Sequence, residues 1–404
     1  MEIQLVFAAL RRHRLATILI ALEIALACAV LSNACFMIAN RLTMMRINSG
    51  VDESSLALLQ VTGYDSNASI DLNARVVAGL RAIPNVKSVS VINAVPFGKQ
   101  AGASGITTDA AGEHFGGVVD FYVGNLGSIK ALGLKLVAGH FPNTDDFQPM
   151  SSYFPTDAKV LITRSLAAHL WPDVDPLGRQ FWSGKFHFRV IGVIDHLAIA
   201  QPESRSSTNA DWSVFAPALP GKFLSGTYLL RANQKDVPRV LSDARAAIAK
   251  IAPDVVLDRQ DSQTLSELRH IYFASDRAMA GMLLGVIVAL LMVTALGIVG
   301  LTSFWVQQRR RSIGIRRAVG ATRVDILRYF QVENFLIVSF GIALGMLLAL
   351  VLNMLLMKHY ELPHLPLIYL PIGAITLWLL GQFAVLGPAL HAATVPPMVA
   401  TRTE

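Results

Sequence analysis

Asp195-His196 sets a carboxylate beside an imidazole, the pairing that a general base or a metal ligand needs. His140 and His187 are scattered through the same polar stretch, and Asp145-Asp146 and Asp173/Asp175 supply paired carboxylates. All four aspartates fall in turn-rich sequence, where such side chains bond their own backbone. His196 reads the same way, as a turn or surface residue. No H-E-x-x-H, G-x-S-x-G, C-x-x-C or G-x-x-x-x-G-K-[ST] occurs in the 404 residues. These residues therefore predict no catalytic group, no metal site and no cofactor bound by this chain; it does not read as an enzyme.

Composition explains why. Hydrophobic residues make up 53% and charged residues 16%, against about 25% charged in a soluble domain. Four runs, 15–38, 280–305, 335–357 and 367–390, reach the roughly 20 apolar residues that cross hydrocarbon as a helix. Glu23 sits inside the first run. A charge there is expensive, so Glu23 is the intramembrane polar candidate, at a helix–helix or substrate interface. The alternative is a protonated or snorkelling side chain with no special role. The first run also follows Arg11, Arg12 and Arg14 and contains Ala27-Cys28-Ala29, as a cleavable signal would. Its length favours an uncleaved signal-anchor.

Charge sets the orientation. The chain carries a formal +7, placed almost wholly in residues 1–14 and in the segment 306–334, with Arg309, Arg310, Arg311, Arg316, Arg317, Arg323 and Arg328. By the positive-inside rule both termini (1–14 and 391–404) and segment 306–334 are cytoplasmic, and residues 39–279 are exported. The positive charge thus reports topology and anionic headgroups of membrane lipids, and nucleic acid is not a predicted partner. Cys28 and Cys35 are the only cysteines. They stand about 10.5 Å apart along one helix, beyond disulfide reach, and the exported segment has none.

That segment reads as an α+β domain. Strand-like, helical and strand-like patterns follow one another over 55–92 and again over 226–258. Each helix stops before a proline, at Arg81-Ala-Ile-Pro-Asn-Val-Lys and Lys250-Ile-Ala-Pro-Asp-Val-Val. Two such units flank an inserted subdomain, 93–225, in which 98–112 is rich in Gly and Ser and is predicted to be a mobile loop. The fold class is a polytopic α-helical membrane protein of four transmembrane helices, with a large α+β periplasmic domain between helices 1 and 2.

Segment 306–334 is the most informative. Ile313, Ile315, Val319, Ile326, Leu327 and Phe330 recur among arginines, as in a short amphipathic helix at a membrane surface that Gly320 could end. Positive-inside anchoring accounts for the arginines alone. Ile313-Gly314-Ile315 and Val319-Gly320-Ala321 suit docking into a groove on a cytoplasmic partner.

Here the chain resembles the FtsX-like, MacB-type ABC transporter permease family. Residues 311–323, R-S-I-G-I-R-R-A-V-G-A-T-R, are similar to that family's R-x-E-I-G-[IL]-x-[RK]-A-[LV]-G-A-[TS] signature. Residues 160–179 and 188–194 resemble its periplasmic core. G-P-A-L-H-A-A-T-V-P-P, 387–397, resembles its closing motif. The resemblance implies a bacterial inner-membrane subunit that pairs with a second permease copy or paralogue. A separate cytoplasmic ABC ATPase, which holds the ATP and Mg, grips the loop after the second helix, and a periplasmic adaptor is a further possible partner. ATP-driven rocking of the helices would move the periplasmic domains and drive export or extraction of a hydrophobic or peptidic molecule. The alternative is a signalling scaffold regulating a periplasmic partner, as in FtsX. By match to the motif, the ATPase-coupling residues are Ile313, Gly314, Ile315, Arg316, Ala318, Val319, Gly320 and Ala321. Ile313→Asp or Gly314→Trp is then expected to uncouple hydrolysis from function. Ser312 stands where the family usually has Glu, which puts any ion pair of that Glu in doubt.

Overall fold

The computed structural model describes residues 14–99, 101–202, 209–360 and 366–394. Arg11, Arg12, Pro396 and Pro397, which entered the topology and closing-motif readings, lie outside them. The chain divides into two compact units, Met44–Ser275 and a second made of Met1–Thr43 with Asp276–Glu404.

The second unit is built on four apolar helices, α1 (Arg14–Met45), α7 (Ala274–Gln308), α9 (Arg323–Tyr360) and α10 (Tyr369–Thr394), with the short α8 (Arg310–Ala318) between α7 and α9. Each of the four is long and apolar enough to cross a membrane. The 38 residues of α9 rise about 57 Å, well beyond the ~30 Å of hydrocarbon, so its polar first turns extend past the apolar core. Segment 306–334 is accordingly not a loop. It comprises the end of α7, all of α8, a tight turn and the first turns of α9.

Close approach, rather than apolar area, joins these helices, because lipid tails offer as much apolar contact as a leucine does. Gly341 and Gly345 of α9 lie directly against α1. A Cβ at Gly345 would lie 2.5 Å from that of Cys28, and one at Gly341 would lie 2.8 Å from that of Ile24. Asn33 Nδ2 donates across the same seam to the Ala349 carbonyl at 3.2 Å. Asn334 Nδ2 to the Gly381 carbonyl (2.9 Å) and Trp378 Nε1 to Ser339 Oγ (3.0 Å) tie α9 to α10. Arg41 near the end of α1 pairs with the buried Asp276 of α7 at 2.8 Å.

The Met44–Ser275 unit has two sheets. The smaller has the order β11-β1-β10-β2, with β1 Leu56–Thr62, β2 Ser88–Val91, β10 Thr227–Arg231 and β11 Val256–Asp258. Its pairings are all antiparallel. The two strand–helix–strand segments therefore interlock, each placing its first strand at the centre. Helices α2 (Ser69–Arg81) and α5 (Val237–Ile251) bury Leu72, Val76, Leu80, Val240, Leu241 and Ile248 in one core with Leu59, Val61, Tyr228 and Leu230. With the buried Val237 and Ala244 of α5, those helix residues recur at the three- and four-residue spacing of one helical face.

The larger sheet runs β5-β8-β6-β9-β4-β3-β7 and closes through a β8–β7 pairing. Its strands are β3 Gly102–Thr107, β4 Phe115–Gly124, β5 Leu136–Gly139, β6 Ala158–Thr163, β7 Gln180–Ser183, β8 Phe186–Ile194 and β9 Ser213–Pro217. Closure leaves only the short β5 on the outside and removes most exposed edges. Phe121, Phe154, Phe181 and Phe188 fill the interior, with ring centroids 4.5 Å apart for Phe121–Phe154 and 4.9 Å for Phe121–Phe188. Short helices α3 (Leu126–Leu132) and α4 (Arg164–Leu170) follow strands β4 and β6, and α6 (Leu265–Tyr272) precedes α7. One expectation is corrected here. Residues 98–112, predicted as a mobile loop, contain β3, which pairs with β4 along its length and with β7 at Thr107↔Trp182. Backbone hydrogen bonds hold the strand where its Gly and Ser side chains give little packing.

Candidate functional site

Helix α8 is short, and its ends are fixed by its own sequence. Gly320 adopts φ +108°, which a side chain would resist. Its N–H donates to the Arg317 carbonyl (3.2 Å) while that of Ala321 donates to the Arg316 carbonyl (3.0 Å). This is the paired closure of a Schellman turn. Thr322 then caps α9: its Oγ1 accepts from the Asp325 N–H at 3.2 Å, and its own N–H donates to Asp325 Oδ2 at 2.9 Å. One residue thus separates the stop of α8 from the cap of α9.

The predicted coupling residues divide between two faces. Ile313 and Gly314 are buried, with Ile313 in a cluster that includes Trp305, Ile326 and Phe330. Ile315 and Val319 are 51% and 85% exposed, one turn apart on the opposite side. Arg316, Ala318 and Gly320 are exposed with them, and Ala321 is half-buried. Ile313 and Gly314 therefore anchor the helix to its own unit, leaving Ile315 and Val319 as its free apolar edge.

Two arginines strengthen the anchor. Arg309 Nη1 lies 2.9 Å from Oε2 of Glu333, whose side chain is 2% exposed, and also donates to Tyr329 Oη at 3.3 Å. Arg317 Nη1 donates to the Ala393 carbonyl at 3.1 Å. Beside them Ser312, Arg316, Tyr329 and Phe330 line a cavity of about 240 Å³, and the Arg316 guanidinium lies 5.1 Å from the Tyr329 ring. The carboxylate that meets an arginine here is Glu333, and Ser312 only lines the cavity. Sequence reasoning missed Glu333, since no spacing rule links residues on separate helices.

Glu23 faces Gly297 of α7: a Cβ there would stand 2.9 Å from Oε2 and 3.1 Å from Oε1. The glycine is the notch that admits the carboxyl. We expect Gly297→Val to cost roughly 1–3 kcal/mol through overpacking, read as a lowered melting temperature in detergent. The isosteric Glu23→Gln should leave that temperature unchanged; equal effects of the two would remove the notch.

The polar candidates of the other unit pair with neighbouring side chains and backbone. His196 Nδ1 and Ser165 Oγ both contact Asp211 Oδ2, at 3.0 and 3.1 Å. The serine and histidine share one carboxylate and form no relay from nucleophile to base. Burial raises the Asp211 carboxyl above its ordinary value, against the opposing bond from the Leu197 N–H. Asp195 pairs with Arg164 at 2.9 Å, and His187 Nδ1 lies 2.7 Å from Asp157. His140 Nδ1 meets the Phe141 carbonyl. Asp146 receives Lys159 Nζ at 2.7 Å, and Asp175 accepts the Leu177 N–H. No group of three or more metal-ligating side chains occurs among the described residues.

The model of the FtsX-like permease C-terminal domain matches residues 284–397, which take in most of α7, then α8, α9 and α10. Residues 284–397 are an FtsX-like permease domain. Among curated relatives, the chain is 31% identical over 240 residues to the macrolide export ATP-binding/permease protein MacB of Bradyrhizobium diazoefficiens, covering 56% of this chain and 35% of that one. It is 29% identical over 194 residues to the MacB protein of Bordetella avium, covering 45% and 28% respectively. The matches thus span about a third of these relatives' length. The chain is thus similar to FtsX-like and MacB-type permeases, and the relatives favour the MacB side of that grouping.

Proposed function

We propose that this permease couples ATP hydrolysis by an ABC ATPase on a partner chain to movement of its Met44–Ser275 unit, driving export or extraction of a hydrophobic or peptidic molecule. The ATP and Mg belong to that partner. In this reading α8 lies on the cytoplasmic side with both termini, in a bacterial inner membrane, and the α+β unit is periplasmic. A second permease copy or paralogue completes the assembly, and a periplasmic adaptor is a further candidate partner. The observation that carries the reading is the free edge of α8. Its two exposed apolar side chains stand on a helix whose other face is locked to the bundle, so a push on Ile315 and Val319 is delivered to α7 and α9.

The test is affinity purification of the tagged chain in a gentle detergent, with mass spectrometry of what accompanies it. Recovery of an ABC ATPase is expected. Recovery of periplasmic proteins alone would replace the transport reading with the signalling one.

A further inference from the structure

The chain enters the Met44–Ser275 unit directly from α1 and leaves it directly into α7. Arg269, on α6, binds both ends. Its Nη2 donates to the Met45 and Ile47 carbonyls, each at 2.7 Å, and its Nη1 meets Glu53 Oε1 at 2.6 Å. Helix α6 is itself set by a capping box between Thr264 and Glu267. The Arg269 guanidinium also covers the Phe97 ring, 4.9 Å from its centroid.

Phe97 is conformationally unusual. Its φ is +63°, a value that bulky residues avoid, and it is 3% exposed. Such strain persists only where the surroundings over-determine it. Here they do. The ring packs against Phe273 at 5.6 Å and Tyr272 at 5.8 Å, and its backbone N–H donates to the Ala200 carbonyl at 2.9 Å.

Ala200 ends a strap, residues 197–200, in which every residue is no more than 1% exposed. A buried irregular segment must find partners for its backbone polar groups, and the larger sheet and the turn before β9 supply them. The Ala200 N–H donates to Asp120 Oδ2 at 3.0 Å, the Ala198 carbonyl accepts Tyr122 Oη at 2.6 Å, and the Leu197 N–H donates to Asp211 Oδ1 at 2.8 Å. Asp120 and Tyr122 are on β4. The Ala198 N–H bonds the Ser49 carbonyl at 3.0 Å, so the segment that continues α1 reaches the strap by a second route as well.

We infer that Arg269 and Phe97 form a mechanical node through which displacement of the segment leaving α1 is passed to the strap 197–200 and so to the closed sheet. Arg269 is a positioning residue that links both ends of the unit, and Phe97 is the pawl it holds against the strap. This role rests on the proposed ATP-driven movement of the unit.

The test uses the full chain in lipid nanodiscs with its ATPase partner, read by hydrogen exchange. In Arg269→Met, exchange at the Phe97, Ala198, Ile199 and Ala200 amides should rise tenfold or more while β1 and β10 keep their protection. Vanadate-trapped ATP should change exchange at these amides in the wild type. That change should vanish in Arg269→Met and in Phe97→Leu, with Arg269→Lys intermediate. Unchanged strap exchange in Arg269→Met would overturn the node, as would an equal loss of protection across both sheets, the mark of a general staple. A wild type without any nucleotide response would instead sink the transport reading, and the first readout would still decide the node.

Discussion

Ile315→Asp combined with Val319→Asp is expected to insert and fold as the wild type does, yet to lose ATPase retention and ATP-driven activity roughly a hundredfold or more. Each is an exposed apolar side chain, and truncating an apolar anchor at an interface centre costs about 2 kcal/mol. Two together approach 4 kcal/mol, where each 1.4 kcal/mol is a tenfold change. A carboxylate adds desolvation to that loss. Folding should be spared, since neither residue belongs to the bundle's buried cluster. The contrast with Ile313 sharpens the experiment. Ile313→Asp places a charge beside Trp305 and Phe330, so its loss of function would come with a lowered melting temperature. Pull-down of the ATPase and thermal unfolding of both variants separate the two cases. Wild-type retention by the Ile315/Val319 double variant would place the docking contact elsewhere.

The residues on α8 also show how far the sequence could be read. Ile313 and Ile315 are two positions apart, about 200° around a helix, so one must face inward if the other is exposed. Both the amphipathic pattern and the motif resemblance grouped them together, and only their positions around the helix divide them. The apolar helices were legible because runs of some twenty apolar residues have no other use. The ends of those runs are not the ends of the helices: α9 begins at Arg323, well before its apolar run, because capping by Thr322 and Asp325 needs no hydrophobicity. Gly341 and Gly345 form a G-x-x-x-G pattern inside that run, a legible signal for close helix approach that went unused. Strand β3 was hidden because backbone pairing, rather than side chains, holds it. Arg269 was hidden for a related reason, since two of its partners are carbonyls more than 220 residues away. Carbonyl acceptors leave no trace in residue type.

Glu333→Ala is expected to destabilise the membrane unit by about 3–5 kcal/mol, the usual effect of removing one partner from a buried ion pair. Glu333 is all but inaccessible, and Arg309 is held between it, the Tyr329 hydroxyl and the Trp305 ring, 5.6 Å from the guanidinium. Taking away the carboxylate leaves a partly buried cation with the Tyr329 hydroxyl and the Trp305 ring beside it and a second cation, Arg316, over the same Tyr329 ring. Arg309 directly precedes α8, so the freed arginine should loosen the helix that presents Ile315 and Val319. Loss of coupling is therefore expected alongside the lowered melting temperature. Replacing both partners separates charge from packing. Arg309→Met with Glu333→Met removes the pair while retaining comparable volume, and should recover most of the stability lost by Glu333→Ala. If docking requires only a firmly seated α8, the double variant regains ATP-driven activity too. If it remains inactive while fully stable, the Arg309 charge itself takes part in contact with the ATPase. No change in stability on Glu333→Ala would show that the pair is solvated in the working protein and does not hold α8.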